Sequence, residues 1–144
     1  MIVGMTSGTF DLFHHSHLLY LERCKSQCDK LIVGVDSDDR VRFSKGVNRP
    51  IFSEIHRCNL IQAISFVDMA FILRSLNDLT QIAQSFNVSK VFKCEVWRGK
   101  HVFGAEKAEL VILEDIPGMI STSTIVEAIK NGKTCLGPIP EGVS

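Results

Sequence analysis

The chain has no stretch approaching the ~20 apolar residues that a membrane-crossing helix requires. Its first residues, Met1-Ile2-Val3-Gly4, do not follow the basic, then apolar, then small-residue order of a secretory leader. No sign of charge is in excess. Sixteen basic side chains meet sixteen acidic ones, so no overall field draws the protein to nucleic acid or to an anionic lipid surface. A disulfide framework is missing too: Cys24, Cys28, Cys58, Cys94 and Cys135 are odd in number and irregular in spacing. Cys24 and Cys28 stand four apart on one predicted helix, but no second Cys/His pair completes a zinc site. The expectation is a cytoplasmic chain with free, reduced thiols. With neither an internal repeat nor a low-complexity linker, 144 residues make one domain, large enough to bury roughly two thirds of its unfolded surface.

What is present is alternation. Apolar runs at Ile2–Thr6, Lys30–Val35, Met69–Leu73, Val91–Cys94 and Leu110–Leu113 read as strands. Between and after them, Ser16–Gln27, Ser53–Ile64, Leu76–Phe86 and Ser121–Asn131 carry helical spacing. Ser53 suits a helix N-cap, and Gly132 stands where a C-terminal glycine would end the last helix. Near-continuous apolar strands separated by helices predict an α/β fold: a Rossmann-like, doubly wound, parallel five-stranded sheet in a single domain over 1–133. Residues 134–144, with Gly137, Pro138, Pro140 and Gly142, are expected to form a tail. Ligands of such sheets bind outside the carboxyl ends of the strands, near the reversal of strand order. The segments of chemical interest all follow strands, so one site is expected.

The most informative segment is Gly8-Thr9-Phe10-Asp11-Leu12-Phe13-His14-His15-Ser16-His17. It reads as strand end, tight turn and helix start. A helix N-terminus attracts anions through its free N–H groups and dipole, and His14 and His17, three apart, can face one bound group. His15 points elsewhere and is expected to be exposed, as are His56 and His101. This segment resembles the signature of the cytidylyltransferase-like nucleotidyltransferases, whose usual form is His-x-Gly-His. Three further blocks resemble that family in its own order: Gly34-Val35-Asp36-Ser37-Asp38, Lys45-Gly46-Val47-Asn48-Arg49-Pro50 with Arg57, and Ile120-Ser121-Thr122-Ser123-Thr124-Ile125.

The resemblance implies transfer of a CMP or AMP unit from CTP or ATP to a small phosphorylated acceptor, an alcohol or sugar phosphate, with release of pyrophosphate. It implies Mg²⁺ carried mostly by the triphosphate, with no protein metal ligand, and a homodimer. His14 and His17 would stabilise charge at the transferring phosphorus, with Lys45, on a Gly/Asn/Pro loop, as a phosphate clamp. Gly8, Thr9 and Phe10 would line the α-phosphate and base. Ser121, Thr122 and Ser123 would bind the β- and γ-phosphates, while Asp11, Arg57 and Trp97 would meet the acceptor. No nucleic-acid or membrane partner is implied.

The chain also departs from the family pattern. Ser16 replaces the glycine of His-x-Gly-His, Ile116 and Ser65 stand where relatives carry arginines, and Cys94 and Val96 replace a glycine and an aspartate. The lysine block is similar to the sugar-phosphate adenylyltransferases, such as the heptose-phosphate enzymes. The Ile120 block is similar to the choline- and ethanolamine-phosphate cytidylyltransferases, so the base stays open between adenine and cytosine. Two alternatives stand beside this reading: a catalytically lapsed nucleotide-binding subunit or sensor, and an adenylyltransferase of the FAD synthase type.

Overall fold

The structure, a computed structural model, describes residues 1–137. The tail positions Pro138, Pro140 and Gly142 lie outside the described residues. Five strands, β1 (Val3–Gly8), β2 (Lys30–Asp36), β3 (Met69–Leu73), β4 (Lys90–Cys94) and β5 (Glu109–Leu113), form one sheet in the order β3-β2-β1-β4-β5. Every neighbouring pair is parallel. The doubly wound parallel sheet expected from the alternation is therefore present. Its order reverses between β1 and β4, and the crevice at their carboxyl ends is where such a sheet binds ligands.

Side chains of consecutive strand residues go to opposite faces, and the core divides accordingly. Leu31, Val33, Val35 and Phe92 join Leu21 and Cys24 of α1 (His15–Lys25) and Ile61 of α3 (Glu54–Gln62) on one face. Met5, Ile32 and Val91 join Leu79 and Ala83 of α4 (Leu76–Ser85) on the other. Gly4 is required by the first layer: a Cβ there would come within 2.6 Å of the Phe92 ring.

Helix ends follow local chemistry. Ser53 accepts the His56 N–H. At the end of α5 (Thr122–Lys130), Gly132 takes φ +70 while its N–H donates to Ile129 and that of Lys133 to Ala128. Those are the paired bonds of a glycine-terminated helix.

Two local expectations need correction. β1 runs on to Gly8 because Ser7 and Gly8 pair with Gly34 and Val35, a backbone property that the side-chain pattern does not display. And Lys45 is not on a loop. It is the last residue of α2 (Asp38–Lys45), which Ser37 caps by accepting the Arg40 N–H, with Asp38 and Asp39 at its start and Gly46 (φ +99) at its end. Eight residues that bury only Val41 give too little amphipathic pattern to be seen.

Candidate active site

The turn after β1 is strained. Phe10 and Leu12 both adopt left-handed backbone (φ 53 and 50), unusual for such side chains, with Asp11 held between them. The strain is fixed by contacts with distant parts of the chain. The Asp11 side chain is only 2 % exposed; its carboxylate accepts N–H bonds from Leu12 (3.1 Å), Phe52 (3.0 Å) and Ile51 (2.6 Å). Its carbonyl accepts the Thr122 hydroxyl at 2.9 Å. Arg57 works alongside it, 1 % exposed, donating to the carbonyls of Phe52 (2.9 Å) and Thr9 (2.8 Å) and to the Asp38 carboxylate (2.9 Å). The assignment of Asp11 and Arg57 to acceptor binding is thus corrected: their polar atoms are occupied inside the protein, and they position the turn, α2 and the 46–52 segment.

On this base α1 begins. His14 is its N-cap by backbone, and its ring stacks on that of His17, centroids 3.7 Å apart and 20° from parallel. Phe10 supports His17 edge-on at 5.4 Å, with Phe13 at 5.5 Å on another side. Phe10 is buried in the core, where its ring braces the histidine, and it also lines the cleft beside His17. Neither Nδ1 has a hydrogen-bond partner among the described residues. His14 Nε2 lies 3.5 Å from Thr122 Oγ1, at the outer limit of a hydrogen bond. The Thr122 hydrogen is already given to Asp11, so that oxygen can only accept, which favours the Nε2–H form of His14. His15, expected to be exposed, is half-buried. His56 is exposed and stacks on Phe52; His101 is exposed, 3.9 Å from Glu106.

Electrostatics keep the imidazole pair neutral near pH 7. Burial pushes the His17 pKa down to about 3, helped by His14 and Lys45; burial, then His15, lowers that of His14. The folded His17 releases its proton below the ordinary value of 6.5, so between about 3 and 6.5 the unfolded chain binds more protons. Stability is full above pH 6.5 and is lost as pH falls through that window, by up to ~1.4 kcal/mol per pH unit. Thermal melts from pH 7 to pH 4 should show this slope, and His17→Gln should flatten it; an equal slope in the variant would place the acid sensitivity elsewhere.

Three clefts meet along the carboxyl edge of the sheet. The central one, about 220 Å³, is bounded by Gly8, Thr9, His17, Lys45, Trp97 and Thr122. To one side, a pocket of about 360 Å³ is bounded by Ser16, Tyr20, Arg23, Ile116, Ile120 and Ser121. To the other opens a cleft of about 830 Å³, with Asp36, Arg40, Phe43 and Phe103 among its walls. Cys94 borders all three. The N-termini of α1 and α5 both reach the centre, and the N–H groups of Thr122 and Ser123 find no acceptor among the described residues, as a first helical turn requires.

The three hydroxyl residues Ser121, Thr122 and Ser123 at the start of α5 separate by direction. Thr122 faces the centre. Ser121 borders the Ser16 pocket, but its hydroxyl caps the helix by accepting the Thr124 N–H at 3.1 Å. The Ser123 side chain borders a different depression, beside Thr124 and Glu127, so its hydroxyl is removed from the set. Ser65 is exposed in the turn after α3 and borders none of the three clefts.

One residue of the site gave no motif in the sequence. Lys93 of β4 is 7 % exposed, donates to Ser7 Oγ at 2.8 Å, and lies 4.8 Å from the centre of the Trp97 ring. Burial holds its pKa below the ordinary lysine range, against the opposing field of Asp36. Its only sequence signal is a lysine inside the otherwise apolar strand run Val91-Phe92-Lys93-Cys94. For a metal, the described residues offer no group of three or more His, Cys, Asp or Glu, and the Asp11 oxygens are occupied.

The chain matches the cytidylyltransferase-like family over residues 5–128. It is 37% identical over 131 residues to the bifunctional protein HldE of Campylobacter jejuni subsp. jejuni and 34% over 135 to that of Rhodopseudomonas palustris, in each case 91% of this chain. It spans only 28% and 27% of those relatives' own length. Among solved structures, a lipopolysaccharide core biosynthesis protein from Thermoplasma volcanium superposes with TM-score 0.65 at 26% identity, covering 81% of this chain and 98% of that one. Thermotoga maritima TmcAL, bound with alpha-thio ATP, gives 0.67 at 10% identity over 92% of this chain and 51% of its own, a likeness of fold alone. With the histidine pair, the strained turn and the two helix N-termini at the sheet's reversal point, the match leaves one assignment: this chain belongs to the cytidylyltransferase-like family of nucleotidyltransferases.

Proposed function

We propose that the chain transfers AMP from ATP to the phosphate of a small sugar-phosphate acceptor, releasing pyrophosphate. The observation that carries this reading is the stacked, neutral His14–His17 pair, set at a helix N-terminus over the Gly8–Thr9 turn. Fixed donors aimed at the non-bridging oxygens stabilise a transition state whose charge spreads over them. An acceptor phosphate oxygen attacks the α-phosphorus while the bond to pyrophosphate breaks. That oxygen is already ionised near neutral pH, so no general base is needed, and alignment supplies much of the rate.

The donor's base and ribose are assigned to the Ser16–Tyr20 pocket, its phosphates to the central cleft between α1, Lys45 and Thr122, and the acceptor to the cleft beyond Trp97. Magnesium would arrive on the triphosphate and neutralise its charge. The HldE relatives and the Lys45-Gly46-Val47-Asn48-Arg49-Pro50 block favour adenine and a sugar phosphate over cytosine and an alcohol phosphate. The reading includes a cytoplasmic homodimer. Phe43 and Val47, 96% and 88% exposed beside the site, are apolar surface of the kind a second copy covers.

Pyrophosphate release by the purified protein with Mg²⁺ tests the reading. ATP or CTP would be paired with heptose, glycerol, choline and ethanolamine phosphates and with FMN. Release with ATP and the sugar phosphate is the expected result. Release with CTP, or with FMN, would move the protein to another branch; nucleotide binding without release from any pair would make it a binding subunit.

A further inference from the structure

A buried ammonium group normally has a carboxylate beside it. Lys93 has none in contact: among the described residues no acidic side chain lies within ion-pair distance of it, and Asp36, on the same cleft wall, acts on it from farther off. Of its three N–H donors, one reaches Ser7 Oγ, and the ammonium also sits over the Trp97 ring. The charge is thus held nine-tenths buried with its coordination incomplete, and it opens toward a cavity. Lys93 lies on the wall shared by the central cleft and the larger cleft beyond Trp97, and it is not among the residues of the Ser16 pocket.

That placement has a direction. In nucleotidyl transfer the entering and leaving oxygens lie roughly in line across the phosphorus. With the donor nucleoside on the Ser16 side and its phosphates between the α1 and α5 N-termini, the entering group comes from the Trp97 side and passes Lys93. We propose that Lys93 is a further catalytic residue, the fixed cation that grips the acceptor's own phosphate and holds one of its oxygens against the α-phosphorus. This rests on the reading in the preceding section and deepens it: the acceptor is a phosphate monoester, because a neutral hydroxyl would leave the ammonium without a counter-charge in contact with it. Lys93 keeps its proton throughout; the bond made is acceptor oxygen to α-phosphorus, and the bond broken is α-phosphorus to pyrophosphate oxygen. Lys45, on an exposed helix end, differs in kind, since its charge is already solvated.

The chain supplies its own reporter, because Trp97 is its one tryptophan. Inorganic phosphate and glucose 1-phosphate would be titrated into the full-length protein while Trp97 fluorescence is read, with ATP affinity measured separately by calorimetry. Wild type should give a saturable change. Lys93→Met should weaken it about 10- to 100-fold, the range for losing a charge-assisted hydrogen bond, while the ATP dissociation constant moves less than threefold. Lys93→Gln gives the same comparison should the methionine variant not fold. No fluorescence response in wild type, an undiminished response in the variant, or an equal loss of ATP affinity would each overturn the proposal. The activity assay separates the two failures. Pyrophosphate release that survives Lys93→Met with unchanged acceptor kcat/KM removes Lys93 and leaves the enzyme reading standing. Absence of release in wild type alongside a Lys93-dependent phosphate response removes the enzyme reading and leaves the phosphate site.

Discussion

Replacing His17 by alanine should lower kcat by about 10²- to 10³-fold, the usual effect of removing one preorganised donor from a developing oxyanion. The loss should fall on turnover more than on nucleotide affinity, because the imidazole is neutral in the free protein and its hydrogen bond strengthens only as charge accumulates on the phosphoryl oxygens. His14→Ala should behave alike. The double variant should cost about as much as either single one, since rings stacked 3.7 Å apart act as one unit and their effects do not add. His17→Gln guards against a packing artefact: alanine opens space beside Phe10 and Phe13, whereas glutamine fills much of it. Steady-state kinetics with thermal melts decide the matter. A kcat within threefold of wild type in both His17 variants would take the pair out of the chemistry.

The largest stability effect should come from Arg57→Met. Its guanidinium is fully buried and paired with Asp38, whose side chain is 24% exposed, and two more of its donors satisfy the carbonyls of Phe52 and Thr9. Removing it strands those acceptors, at a cost of about 3 kcal/mol, the low end for breaking a buried pair because Asp38 can rehydrate. For a chain of this size the melting temperature should fall by roughly 6–12 °C. Arg57→Lys should rescue little, since one ammonium cannot span three acceptors that a planar fork reaches. Arg98→Ala is the control: its pair with Glu95 is exposed, and the melt should not move. If Arg57→Met melts with wild type but loses acceptor affinity, the acceptor-binding role returns.

What the sequence revealed and what it concealed divide by distance along the chain. The histidine pair was legible because two residues three apart on one helix start meet by geometry alone. The sheet was legible because strands buried on both faces are apolar throughout. Asp11 and Arg57 read as substrate ligands because they are charged and lie in the motif region. Their partners, Phe52 and Thr9, are 41 and 48 residues away, and nothing local announces them. Lys93 was concealed by the opposite effect: one lysine in a strand looks like an edge or a surface position until Ser7, 86 residues earlier, is seen beside it. Of the Ser121–Thr122–Ser123 run, only helical direction separates the residue that faces the centre from those that do not.

Asp11 has a further consequence for how the protein matures. Through one side chain and one carbonyl it joins the turn after β1 to residues 40 and 41 positions later and to Thr122, 111 positions later. Closing loops of that length is entropically opposed until the contacts that reward it exist. The two helix starts at the centre of the site are therefore joined by contacts far from local in the chain. The joining of these two helix starts is accordingly a property of the whole fold and of no single segment.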